Sequence, residues 1–332
     1  MSEKIAVIGS NAFTGAWFCD LLLEDPNVEV LAVSRSPEKP DWMLPYKHRG
    51  GQERLTFLQA DLNADLPKLL AALDDFQPSM VVTFAALVEV APSWDHPVAY
   101  FRTNAMSTVA FGEQLASRDY LKSLVHISTP EVYGSCPDPI KEDGRLNPST
   151  PYAASKAAAD LYFRCMAEHK GLPVTMIRST NVYGAYQPIF KIIPRTLIYA
   201  RSGRTLNLHG GGVAVKSFIH VKDVCEGILE VARKGTPGEI YHFSPDDNGI
   251  KIRDLVEMVC TAAGKRLDEV AEVGPERLGQ DSAYVVDSSK ARAEFGWKPK
   301  ISLEQGVAET KEWIDRHWGE ASSATLGYQH RD

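Results

Sequence analysis

The chain of 332 residues has no apolar run long enough to cross a membrane. The longest, around Met80 to Val88, is roughly half of the ~20 residues that a spanning helix needs. Its first residues enter a strand pattern with no signal-like apolar segment before it, so a cytoplasmic location is expected. Cysteine is sparse. Cys19, Cys136, Cys165, Cys225 and Cys260 are odd in number, widely spread and without a CxxC pair, which excludes a disulfide framework. No histidine spacing accompanies them that would seat a metal, and they are read as reduced structural thiols. Basic excess is missing too. A net charge of −7 argues against nucleic acid or an anionic lipid surface as partner, since both are bound by basic surfaces. A small anionic ligand remains open if donors cluster in a cleft. Repeats and low-complexity segments are absent.

What is present is an ordinary globular composition, 44% hydrophobic and 24% charged, in a chain long enough for one large or two coupled domains. The runs "KIAVIGS", "VEVLAVS", "RLTFLQADL", "SMVVTFAAL" and "SLVHIST" read as strands separated by amphipathic stretches. That alternation predicts an α/β fold with a doubly wound parallel sheet of the Rossmann type. "PVTMIRS" and "EIYHFS" read as later strands of the same sheet. The expected division is a dinucleotide-binding domain over 1–181 and 216–245, and a smaller, discontinuous α/β lobe over 182–215 and 246–318. Residues 319–332 lack periodicity and are expected to form a mobile tail.

"KIAVIGSNAFTGAWFCDLLL" is a strand, a tight turn and a helix, with Gly9, Ala12 and Gly15 at three-residue spacing. Such spacing suits a dinucleotide turn, in which Gly9 to Gly15, with Asn11, Phe13 and Thr14 between them, bring backbone amides and a helix N-terminus to a pyrophosphate. Ala12 puts a methyl where a glycine is usual. At the end of the second strand, where an acid would take a free ribose hydroxyl, the chain reads Val33-Ser34-Arg35-Ser36. Ser34 and Arg35 suit a 2′-phosphate, so NADP is favoured over NAD; the plainer reading of Arg35 is a solvated loop charge. Asp61 and Leu62, ending the third strand, are placed either against the adenine or as surface residues.

"NPSTPYAASKAAADLYFRCMAEHKG" is a well-specified helix, with Ser149 or Thr150 as cap, Pro151 in the first turn and Gly171 as the stop. Tyr152 and Lys156 are four apart and share a face. A tyrosine acting as a base at neutral pH needs its pKa lowered by about three units, roughly 4 kcal/mol, which an adjacent ammonium and a cofactor charge can supply.

Gly9/Ala12/Gly15, the "FAA" of Phe84, Ala85 and Ala86, Asn104 in "RTN", "HISTPEVYG", the Tyr152/Lys156 pair and "STNVYG" together resemble the extended short-chain dehydrogenase/reductase family over nearly the whole chain. Within it the chain is most similar to the nucleotide-sugar 4,6-dehydratases. The resemblance implies a lyase that uses tightly bound, recycled NAD(P) and a nucleotide-diphosphate sugar, commonly as a homodimer. Tyr152 would take the proton of the sugar 4-hydroxyl, Thr129 would share a hydrogen bond with that oxygen, and Lys156 would lower the Tyr152 pKa and hold the nicotinamide ribose. Ala85, Ala86 and Asn104 would line the cofactor. Glu131 would remove the C5 proton before water leaves from C6.

Pro130 stands where thymidine-diphosphoglucose enzymes commonly carry an aspartate, and it has neither an acid nor an amide hydrogen. Glu131 then does both proton transfers, or a water or another residue assists. By the same resemblance Ser93, Thr129, Pro130 and Glu131 would face the sugar, while Asn181, Lys191, Ile192, Ile193, Lys216 and Arg277 would face the diphosphate and nucleoside. Lys216 stands where arginine is more usual, Ala283 replaces a second arginine, and "LVEVAPSW" departs from the family pattern "SHVDRS". The alternatives are a nucleotide-sugar 4-epimerase, a UDP-glucuronate decarboxylase and, more remotely, a cofactor-sensing protein without catalysis.

Overall fold

The computed structural model describes residues 2–247, 249–275 and 284–328. Seven strands form one sheet: β1 (Glu3–Ile8), β2 (Val28–Ser34), β3 (Leu55–Gln59), β4 (Met80–Thr83), β5 (Ser123–Ile127), β6 (Val174–Ser179) and β7 (Ile240–Phe243). Their order is β7-β6-β5-β4-β1-β2-β3, every neighbouring pair parallel. Helices cover both faces, so the central strands are apolar without alternation; Ile5, Ala6, Val7 and Ile8 are all buried. The expected α/β doubly wound sheet is therefore the architecture. From β1 the chain turns one way to β2 and later returns on the other side as β4. That reversal opens a crevice at the ends of β1 and β4, the usual ligand position in such sheets.

Three helices set the site. Helix α1 (Phe13–Leu22) follows β1, α2 (Pro151–Lys170) follows β5, and α3 (Val221–Lys234) packs on α1, where the Cys225 thiol lies 3.7 Å from the Thr14 carbonyl. The segments between β6 and α3 and after β7 meet through short ladders. Leu206–His209 pairs with Ala271–Gly274, and Val215–Lys216 with Ile250–Lys251. Helices Ile192–Ser202 and Ile252–Ala262 close over these around a small separate core that includes Leu206, Leu208, Val256 and Cys260.

The described part of the C-terminal segment, up to residue 328, packs on the rest of the chain. Trp318–Ser323 is helical with Ala321 fully buried, Arg201 stacks 4.1 Å above the Trp318 ring, and Tyr328 meets Phe190 edge-on at 5.8 Å. Sparse, aperiodic apolar residues anchor it, a pattern that periodicity analysis does not register. Among the described residues no helix is long and apolar enough to cross a membrane.

Candidate active site

The turn after β1 is built for close backbone approach. Gly9 has φ +97°, and a Cβ there would lie 2.6 Å from the Ala85 amide nitrogen; a Cβ on Gly15 would lie 2.4 Å from the Gly9 carbonyl oxygen. Only glycine fits at either position. Ala12 sits at the head of α1 with φ −66°, its amide donated to Gly9 O at 2.8 Å, so its methyl is accommodated. No side chain caps α1 and no acid stands in its first turn, which leaves its leading amides, including those of Phe13 and Thr14, suited to an anion.

The Asn11 side chain is engaged with the loop after β2. Its amide donates to Ser36 Oγ (3.0 Å) and Pro37 O (2.8 Å), and its oxygen accepts from Lys39 N, so it fastens the loop after β2. That loop begins with buried Ser34 and half-buried Arg35. Asp61 starts a turn, its carboxylate accepting from Asn63 N at 2.7 Å, and Leu62 is buried beside it. Asp61, Asn63, Ala99, Arg102 and Thr103 line part of a hollow of about 820 Å³.

Two further polar residues named above are held by intramolecular hydrogen bonds. Asn104 is fully buried in a π-helical turn, Arg102–Ser107. Its amide donates to Leu87 O (2.9 Å) and Ser155 Oγ (3.0 Å) and its oxygen accepts from Leu87 N, so it ties the loop after β4 to α2. Ser93 is likewise fully buried, its hydroxyl donated to Val90 O at 2.6 Å within a helical turn.

Strand β5 ends in the hydroxyl cluster. Pro130 opens a 3₁₀ turn, Pro130–Tyr133, at a position with no use for an amide hydrogen, and Thr129 caps it by accepting from Glu131 N at 3.3 Å. Facing it is α2, capped by Thr150, whose hydroxyl accepts from Ala153 N at 3.1 Å, and ended by Gly171 with φ +67°. Thr129 hydrogen-bonds the Tyr152 hydroxyl, and the Glu131 carboxylate lies within electrostatic reach of it.

The chain's own groups do not activate Tyr152. Burial pushes its phenol well above the ordinary range and Glu131 adds to this, with only the Thr129 hydrogen bond opposing. The Lys156 Nζ donates to Ile127 O (2.8 Å) and lies 3.1 Å from His126 Nε2. Burial lowers that ammonium to about 8 and keeps His126 neutral, so the imidazole accepts from Lys156.

Behind this layer lies an ion pair that sequence reasoning missed. Asp160, one turn beyond Lys156 on the same face, accepts from Arg178 at 2.8 Å and from the Ser128 hydroxyl at 2.7 Å. Arg178 and Asp160 are both buried. Arg178 also hydrogen-bonds the Tyr133 hydroxyl, which sits 2.7 Å from His242 Nε2. An arginine inside the apolar strand "VTMIRS" was the signal available for this.

On the opposite wall, Lys191 heads the helix Ile192–Ser202, which has no side-chain cap and no acid in its first turn; Ile192 and Ile193 are its first residues. Asn181 donates to Ser217 O at 3.0 Å, and Lys216 lies on the short ladder beside it. Arg277 and Ala283 fall outside the described residues. A residue without an expected role, Glu89, pairs with Lys191 at 2.6 Å.

A family model described as GDP-mannose 4,6 dehydratase matches residues 7–310. The chain belongs to this family. Among relatives of these nucleotide-sugar 4,6-dehydratases, a dTDP-glucose 4,6-dehydratase from Xanthomonas campestris is 34% identical over 277 residues, 77% of this chain and 78% of that one. Another from Streptomyces niveus is 37% identical over 243 residues, 72% of this chain and 71% of that one. The solved structure of DesIV, a dTDP-glucose 4,6-dehydratase from Streptomyces venezuelae with NAD bound, superposes with a TM-score of 0.87 at 30% identity, covering 96% of this chain and 98% of that one.

The buried pair behind this dehydratase site has a stability consequence. Asp160→Asn leaves the Arg178 charge uncompensated in the interior, and we expect a loss of about 3–5 kcal/mol. Urea unfolding measures this, and a loss under about 1 kcal/mol would show that Arg178 finds another partner.

Proposed function

We propose that the chain is a nucleotide-diphosphohexose 4,6-dehydratase that converts its sugar to the 4-keto-6-deoxy form with loss of water. The observation that carries this reading is the grouping of Thr129, Tyr152 and Glu131: a phenol able to take a hydroxyl proton, with a carboxylate in reach of it. A 4-epimerase uses the phenol but has no step for the carboxylate.

Gly9, Ala12 and the open start of α1 would hold the pyrophosphate of a nicotinamide dinucleotide, with Asp61 and Leu62 toward its adenine. When bound, that group would supply a hydride acceptor and donor for the sugar and the positive charge beside Tyr152 that the chain's own groups do not provide. Tyr152, hydrogen-bonded to Thr129, takes the 4-hydroxyl proton. The new ketone acidifies the C5 hydrogen, and Glu131 removes it. Pro130 offers no proton, so Glu131 passes the same proton to the C6 oxygen, which leaves as water, and C5 afterwards takes a fresh proton from solvent. Lys156, lowered to about 8, still carries its proton at neutral pH. Lys191 and the helix it heads, with Asn181 and Lys216, would grip the diphosphate and nucleoside.

Val98, Phe101, Met106 and Leu161 are exposed on helices that pack against one another or belong to α2, and they supply the face for a homodimer, which sedimentation would read. Nucleotide-activated sugars and nicotinamide cofactors are cytoplasmic metabolites, and the proposal includes that location.

The finer cofactor choice rests on Ser34 and Arg35 at the end of β2, which favour NADP over NAD. Arg35→Ala should raise the Kd for NADP by about tenfold or more while moving that for NAD by less than about threefold. Equal weakening of both would contradict the assignment. Glu131→Gln should keep dinucleotide binding and C4 oxidation while slowing water loss by about 10²–10⁴-fold, read from product mass and from reduced-nicotinamide absorbance. Substantial water loss by that variant sinks the single-carboxylate scheme.

A further inference from the structure

A hexose joined to a diphosphate has two fixed ends in this cleft. Its 4-hydroxyl belongs at Tyr152, and its diphosphate at the start of the helix Ile192–Ser202. Glu89 bridges these two points. Its carboxylate pairs with Lys191, the residue heading that helix, at 2.6 Å. Its backbone carbonyl accepts from the Tyr100 hydroxyl at 2.5 Å, and the Tyr100 ring meets the Tyr152 ring edge-on at 6.3 Å. The Glu89 side chain is 15% exposed, so it is largely desolvated while still reaching the cleft. Its charge, like that of Glu131, is felt at the Tyr152 phenol.

We propose that Glu89 is the residue that selects the sugar: its carboxylate, with Lys191 as counter-ion, accepts hydrogen bonds from a neutral hexose and rejects a hexuronate. The inference deepens the dehydratase reading and rests on it for the placement of the sugar. The physical argument is a difference of affinities. A hydroxyl donates to a carboxylate in a charge-assisted hydrogen bond. A second carboxylate, on C6 of the ligand, would share this poorly solvated space with Glu89 and Glu131 and be repelled by both. Water loss from C6 requires a hydroxyl on that carbon, so rejection of uronates serves the chemistry.

Binding of UDP-glucose and UDP-glucuronate to the NAD-loaded protein, measured by calorimetry, tests this with the nucleoside held constant. The wild type should prefer UDP-glucose by about tenfold or more, and Glu89→Gln should shrink that ratio by about fivefold or more. Lys191→Gln serves as the second variant: it removes a diphosphate contact common to both ligands and should weaken them together, leaving the ratio within about twofold. A wild type that binds the two equally, or a ratio unmoved by Glu89→Gln in a protein with unchanged Tm, overturns the proposal. A ratio that falls as far in Lys191→Gln as in Glu89→Gln also overturns it, since discrimination would then come from the diphosphate end. Because binding is read, a protein that shows the predicted ratios yet releases no water from any hexose sinks the dehydratase reading and leaves this inference standing. Unmoved ratios with water loss intact do the reverse.

Discussion

The geometry of the site depends on one buried contact, the Asp160 carboxylate between the Arg178 guanidinium and the Ser128 hydroxyl. It ties three elements together, since Asp160 lies on α2, Arg178 on β6 and Ser128 just beyond β5. Tyr152, Lys156 and Asp160 recur every fourth residue along one face of α2, so fixing Asp160 against the two strands also fixes how the other two meet Thr129 and His126. The Lys156 bond to Ile127 O repeats the connection one turn nearer the cleft. A charge pair this deep is not an economical source of stability compared with apolar packing. What it contributes is a single register of the helix on the sheet, and the reaction needs that register because its proton transfers tolerate little displacement.

Electrostatics then separate the roles of the groups. Burial holds Tyr152 protonated and pulls Lys156 down, each in the direction that disfavours charge. As pH rises from about 8 toward the ordinary lysine range, the folded chain loses the Lys156 proton before the unfolded chain does, so the stability penalty of burying that ammonium is relieved over this window. Activation of the phenol therefore waits for the cofactor's positive charge. A tyrosine that ionises only when the dinucleotide is present couples proton removal to hydride transfer.

The sheet was legible in the sequence because parallel strands buried on both faces leave continuous apolar runs, and the first turn because Gly9 and Gly15 answer to steric needs that no other residue meets. Thr129, Tyr152 and Glu131 were legible as a motif and lie together. The hydrogen bonds of Asn11, Asn104 and Ser93 were not legible for a common reason: sequence reveals a polar residue near a site, but not which groups of the chain have claimed its hydrogen bonds. Glu89 escaped notice because its partner, Lys191, is remote in the chain, and a single carboxylate in a loop carries no periodic signature. The packing of residues 319–328 was not legible because three or four anchoring side chains suffice to hold a short stretch without any pattern.

The most direct measurement follows isotopes through one turnover. The protein, with a catalytic amount of dinucleotide, is given dTDP-glucose or GDP-mannose deuterated at C4, and the product is examined by mass and NMR. The account predicts a sugar lighter by one water, with the C4 deuterium now on C6 and, when the reaction is run in D₂O with unlabelled substrate, one solvent deuterium at C5. A product of unchanged mass that is epimeric at C4, or deuterium lost to the cofactor pool without water release, would contradict it.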